Sequence, residues 1–253
     1  MRIAERHHAP PVALADADVV LVAVKTYDTV AALQPLRGIL RPGVPVVSLQ
    51  NGLDQVAQAS EALGAQRPFA LAPTTEAAAG YGDGGAIRHG RGHTRIGWAA
   101  GREGSFDLAR LVRALRAGDF DAETATPIEP HAWAKLVVNA AINPVTALAR
   151  RPNGYLAEHP AARALAVALA RETAAVAEKS GVVLPFDDVE QYVLEVVRQT
   201  AGNRSSMLAD VERGRPTEID AINGAVVRRG RPVGVPTPEN ARMVDEVRRA
   251  VKA

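Results

Sequence analysis

The chain has 253 residues, enough for one large domain or two ordinary ones, and its 47% hydrophobic and 23% charged content is that of a globular protein with a buried core. The absence of cysteine excludes disulfides, thiolate nucleophiles and cysteine-ligated metal. A formal charge of +2, from 30 basic and 28 acidic residues, is too weak a field to point to nucleic acid.

The opening MRIAERHHAPPVAL carries charge and two prolines where a signal peptide would be apolar. Residues 1–14 are expected to supply at most a short strand. ADVVLVAVK, 17–25, is a valine-rich run of the kind that forms a strand buried on both faces. Helical periodicity follows over 28–40 and ends at the RPG of 41–43. PVVSLQNG, 45–52, predicts a second strand, 53–63 a second helix closed by Gly64, and FALAP, 69–73, a third strand. This alternation predicts βαβ units and a parallel sheet. The glycine-rich stretch from 80 to 97 predicts a hairpin or an irregular edge excursion, and it lacks the strand-to-helix context of a phosphate loop. A helix over 105–117 and a short strand over 119–123 complete this half.

TATPIEP, 124–130, marks a boundary, because Pro127 and Pro130 restrict the backbone and a long helical pattern starts after them. Helices are expected at 128–149, 161–179, 187–199, 205–212, 217–229 and 238–251. The expected fold is α/β followed by all-α: a Rossmann-like sheet domain over 1–125 and a helical domain over 126–253. No segment reaches the roughly 20 apolar residues that span a bilayer, so no membrane partner and a cytoplasmic location are expected.

Three groups of residues can carry chemistry. In WAKLVVNAAINP, Lys135, Asn139 and Asn143 follow at i, i+4 and i+8, so they share one stripe of a helix. Lysine is scarce here, with only Lys25, Lys135, Lys179 and Lys252, and a lysine beside two carboxamides suits a proton donor with a polar cradle. The plainer alternatives are a snorkelling lysine and asparagines that cap a kink before Pro144. The second group, SSMLADVERGRPTEIDAING over 205–224, offers Asp210, Glu218, Ser205 and Ser206. Ser205 also suits an N-cap, and Thr217 to Asp220 suit a capping-box variant in which Glu218 merely favours the helix dipole. The third group lies at strand ends, where Lys25 and Gln50-Asn51-Gly52 are delivered to the crevice that binds ligands in parallel α/β sheets; Asn51-Gly52 alternatively forms only a turn. The six histidines have no metal-ligand spacing on a helix, and no metal is expected.

VAVKTYD at 22–28, LQNG at 49–52, WAKLVVNAAINPVTAL at 133–148, SSMLADVERGRPTEIDAING at 205–224 and GVPTPEN at 234–240 occur in one order along nearly the whole chain. In these motifs the chain resembles the ketopantoate reductase family, the 2-dehydropantoate 2-reductases. The resemblance implies an NADPH-binding Rossmann domain, a helical domain and reduction of the 2-oxo group of 2-dehydropantoate to (R)-pantoate for pantothenate and coenzyme A synthesis. It implies a catalytic Lys135 with Glu218 as its acidic partner, and Asn139, Asn143, Ser206 and Asn51 on the substrate. Lys25, Asn51 and Glu218 are implied on the NADPH/NADP+ side. A homodimer is compatible with the family and with the amphipathic helices of the second half. Alternative readings are a reductase of a related 2-oxo acid and a non-catalytic scaffold or dimerisation module.

The family pattern opens on a strand feeding a G-x-G-x-x-G turn, which seats the pyrophosphate on a helix N-terminus. This sequence starts beyond that turn. Either Met1 lies inside a longer reading frame or the chain is a shortened member. On that expectation residues 1–253 bind NADPH much more weakly than a full-length relative. Calorimetric titration checks this, and micromolar or tighter affinity overturns it.

Overall fold

The computed structural model describes residues 14–81 and 85–252. It contains two compact units: one comprises the chain up to Gln50 with Gln55–Glu129, the other Asn51–Asp54 with the chain from Pro130 onward. The short N-terminal strand expected within residues 1–14 falls almost wholly outside the described residues.

In the first unit β1 (Val20–Val22), β2 (Val46–Ser48) and β3 (Phe69–Leu71) are parallel neighbours, with Val20 opposite Val46 and Val46 opposite Phe69, and α2 (Gln55–Leu63) connects β2 to β3. β4 (Ala77–Tyr81) and β5 (Gly85–Gly90) pair with each other in a separate two-stranded sheet, and residues 82–84 between them lie outside the described set. β6 (His93–Trp98) then joins β3 antiparallel, and β7 (Asp121–Thr124) joins β6 parallel, giving the order β1-β2-β3-β6-β7. The sheet is therefore mixed. A parallel neighbour for β3 requires a crossover, usually a helix; the glycine-rich stretch has no helical period and returns through the hairpin. β7 lies parallel to β6, and the crossover between them is α3 (Leu108–Ala117).

The core of this unit follows from periodicity. Leu108, Leu111, Val112 and Leu115 lie on one face of α3 and pack on Val47, Ala70, Ile96 and Ala122. Each fully buried aliphatic side chain contributes about 1.5–3 kcal/mol relative to exposure. Asp107 caps α3 by accepting the amide of Ala109 at 2.9 Å. The helix expected over 28–40 is instead three short pieces, a 3-10 turn at Thr26–Asp28, α1 (Thr29–Leu33) and a second 3-10 turn at Gln34–Leu36. Pro35 is the cause, since it has no amide to donate and disfavours helical geometry in the residue before it.

The helical unit contains α4 (Glu129–Ala149), the single turn α5 (Tyr155–Glu158), α6 (Pro160–Lys179), α7 (Val189–Gln199), α8 (Ser206–Glu212), α9 (Asn223–Gly230) and α10 (Pro238–Lys252). The turn α5 is absent from the sequence expectation because four residues carry no readable period. α6 presents Ala162, Ala166, Ala170 and Ala174 to a core that it shares with Val137, Ala141 and Val145 of α4 and with Val193 and Val197 of its neighbour α7. Small side chains at i, i+4 and i+8 let helix axes approach closely. The helix expected over 217–229 begins only at Asn223, because the carbonyl of Glu218 accepts the amides of both Ala221 and Ile222 at 3.0 Å and closes a tight turn. Thr217 to Asp220 accordingly form no capping box.

Gly97 on β6 is a position where a side chain has no room: a Cβ there would lie 2.2 Å from the carbonyl oxygen of Ala125 and 2.8 Å from the Cβ of Ile128. Gly97→Ala is expected to destabilise the protein by roughly 2–3 kcal/mol, read as a lowered denaturant midpoint with unchanged slope.

Candidate active site

Within the helical unit the polar residues of α4 meet a short loop and a turn. Lys135 and Asn139 are half-buried and one helical turn apart, while Asn143, one turn further on, is buried. Asn51-Gly52 forms the loop opposite. Gly52 adopts φ +86°, and a Cβ at this residue would fall 2.3 Å from the carbonyl oxygen of Ala221. Only glycine permits both that backbone conformation and that approach. The loop is held by α9, whose Arg228 pairs with Asp54 at 2.5 Å and donates to the carbonyl of Asp220 at 2.8 Å, while Arg229 donates to the carbonyl of Leu53 at 2.6 Å.

This clamp sets a line of side-chain hydrogen bonds. Asn139 Nδ2 donates to Asn51 Oδ1 at 3.3 Å, and Asn51 Nδ2 donates to Glu218 Oε2 at 3.1 Å. A carboxylate accepts and does not donate, so Glu218 fixes which end of the Asn51 amide faces it. Glu218 is buried, at 6% exposure.

Desolvation lowers the Lys135 pKa from its ordinary 10.5 to about 8, and the negative charge of Glu218 acts in the opposite direction. The ammonium is therefore still mostly protonated at neutral pH but parts with its proton more readily than an exposed lysine. A cation of this kind stabilises negative charge growing on a nearby oxygen and can then supply the proton.

The other residues singled out from sequence lie in several places. Ser206 opens α8 with an exposed side chain and makes no hydrogen bond to this group, whereas Ser205 is the N-cap of α8: its hydroxyl accepts the amide of Leu208 at 3.1 Å and lies 2.8 Å from the hydroxyl of Thr146. Asp210 is buried and pairs with Arg215 at 3.2 Å. Lys25 follows β1 in the other unit, where its carbonyl accepts the amide of Asp28. Gln50 of that unit is committed to the fold: its Nε2 donates to the carbonyl of Val24 and the hydroxyl of Thr29. Sequence reasoning named Gly52 with its strand-end group and as a turn residue, and passed over Arg228 and Arg229, whose only sequence signal is two arginines late in a helix.

His93 lies between Asp121 and Glu123, at 2.8 and 3.0 Å, and no group of three metal-ligating side chains occurs among the described residues. His7 and His8, and the side chain of His89, lie outside the described set. In the first unit the parallel strands β1 and β2 run toward Lys25 and Gln50, at the carboxyl end of the sheet where ligands bind in open α/β folds. Among the described residues no strand leads into a helix through a G-x-G-x-x-G turn.

With only four lysines, 13C-lysine labelling makes the titration directly visible. One resonance, lost in Lys135→Arg, is expected to titrate near 8, and Glu218→Gln is expected to move it lower still. Because the folded pKa is below the unfolded one, the unfolded chain holds more protons between about 8 and 10.5, so this group adds stability as pH rises through that window. A Lys135 resonance titrating at 10 or above would overturn the assignment.

Two family models cover most of the chain: "Ketopantoate reductase PanE/ApbA" over residues 2–101 and "Ketopantoate reductase PanE/ApbA C terminal" over residues 127–251. The 2-dehydropantoate 2-reductase of Shigella flexneri is 36% identical over 237 residues, 93% of this chain and 75% of the relative. The crystal structure of a PanE/ApbA family ketopantoate reductase from Ralstonia eutropha JMP134 superposes with a TM-score of 0.84 at 32% identity, covering 96% of this chain and 78% of that one. A ketopantoate reductase from Staphylococcus aureus, described as dimeric, gives a TM-score of 0.74 at 26% identity, over 93% of this chain and 78% of that one. With its α/β unit, its helical unit and this degree of identity, the chain belongs to the ketopantoate reductase family of oxidoreductases.

Proposed function

We propose that the protein carries out the NADPH-dependent reduction of 2-dehydropantoate to (R)-pantoate, in the cytoplasm and for pantothenate and coenzyme A synthesis. The observation that carries this reading is the desolvated Lys135 ammonium within the field of Glu218, a carboxylate that Asn51 joins to Asn139 on the same helix as the lysine. Family membership supports this choice of substrate and cofactor. The nicotinamide, when bound, supplies the hydride that reduces the ketone carbon.

The residues of the chain act on the other atom of the carbonyl. Lys135 polarises the ketone oxygen, and its positive charge is most valuable as that oxygen becomes an alkoxide, so the interaction strengthens in the transition state. Lys135 then donates the proton that completes the alcohol. Glu218 holds the ammonium and accepts a hydrogen bond from a substrate hydroxyl. Asn139, Asn143, Asn51 and Ser206 bind the substrate, and Lys25, Asn51 and Glu218 serve the nicotinamide side. The partner is thus a small 2-oxo acid. A homodimer is proposed by analogy with the Staphylococcus aureus relative.

Lys135→Ala is expected to lower kcat about 10²- to 10⁴-fold at millimolar NADPH, with an unchanged far-UV circular dichroism spectrum. Glu218→Ala is expected to lower kcat and raise the KM for the 2-oxo acid. The acid must be protonated, so kcat/KM for reduction should fall above about pH 8. A correctly folded Lys135→Ala with near-parental kcat would reject the assignment.

A further inference from the structure

Pro144 lies inside α4 and has no amide hydrogen, so it cannot donate to the carbonyl four residues earlier, that of Ala140. That carbonyl is satisfied from elsewhere: Asn223 Nδ2 donates to it at 3.0 Å. Asn223 is fully buried, the first residue of α9, and five positions after Glu218. Its second amide hydrogen goes to Asn240 Oδ1 at 2.9 Å. Asn240, also fully buried, donates through Nδ2 to Glu172 Oε2 at 2.8 Å and to the carbonyl of Leu169 at 3.3 Å. Because this chain of donors ends on a carboxylate and a backbone carbonyl, which only accept, the orientation of both amides is fixed.

The bond from Asn223 to Ala140 joins two short rigid pieces. On one side Ala140 follows Asn139 directly and is five residues after Lys135 in the same helix. On the other side the carbonyl of Glu218 accepts the amides of Ala221 and Ile222, that of Ile219 accepts the amide of Gly224, and Ile219 and Ile222 are buried. Asn223 Oδ1 is buried and accepts no hydrogen bond among the described residues. Leucine in its place would fill a similar volume but would leave the Ala140 carbonyl and Asn240 Oδ1 without a donor.

We propose that Asn223 is a positioning residue, which uses the carbonyl freed by Pro144 to hold the Lys135 helix in register with the turn that carries Glu218. This rests on the reading of Lys135 and Glu218 as the reacting pair, but its principal test does not require turnover.

The test compares the protein with Asn223→Leu, Pro144→Ala and the double variant, following the Lys135 resonance in 13C-lysine-labelled protein alongside thermal unfolding. In Asn223→Leu the Lys135 titration is expected to move below its parental position toward that of Glu218→Gln, and kcat to fall roughly 10- to 100-fold, as for a misplacement of about an ångström. Pro144→Ala restores an amide beneath Ala140, so the double variant is expected to recover thermal stability while the Lys135 titration stays displaced. If Asn223→Leu does not fold, Pro144→Ala against the double variant makes the same comparison. An unchanged Lys135 titration with lowered stability, or one that moves upward, overturns the proposal and leaves Asn223 as packing. Turnover retained in Lys135→Ala would instead reject the functional reading, and the titration would still decide the role of Asn223.

Discussion

A charged amine partly withdrawn from water is the constraint on which the polar group of the helical unit depends. Moving an ammonium toward a low-dielectric interior costs on the order of several kcal/mol unless other groups answer it. Glu218 supplies the countercharge, and Glu218 itself needs a donor, which Asn51 provides. The loop that carries Asn51 must then be fixed, and it is fixed by the arginines of α9 and by the contact at Gly52. Each step in this series answers the electrostatic or steric demand of the step before it.

The proline inside α4 belongs to the same logic. A helix that satisfies all its own carbonyls offers neighbouring elements nothing polar to grip. Pro144 releases one carbonyl, and nearby the Thr146 hydroxyl, which bonds back to Ile142 at 2.8 Å, also reaches Ser205. Two other parts of the unit, the start of α9 and the start of α8, thereby meet α4 through directional hydrogen bonds rather than by apolar packing alone. Directional bonds fix rotation and translation along the helix, which interlocking alanines and valines define less sharply.

What could be read from the sequence was local. The alternation of strand and helix, the change to an all-helical texture after Thr126 and the stripe of Lys135 and Asn139 all depend on periods of 2 or 3.6 residues. Ser205 showed its capping role because the N-cap signal spans three positions. The antiparallel entry of β6 was not legible, since strand direction depends on pairing partners outside the window of any period. Nor was the bond between Asn51 and Glu218, which are separated by 167 positions. Pro144 could be read as a break, but the residue answering it could not, because nothing in NGAVV distinguishes an asparagine facing an orphaned carbonyl from one facing solvent.

Gly52 has a consequence for how such a site changes over time. Most positions around a pocket can be varied by size or polarity, but residue 52 is closed to every side chain, because backbone lies where the first carbon would go. The loop can therefore change the chemistry it presents only through its neighbour, Asn51. Variation on the other side runs through side chains of α4, where Asn139 meets Asn51, so the two sides carry unequal capacity for innovation.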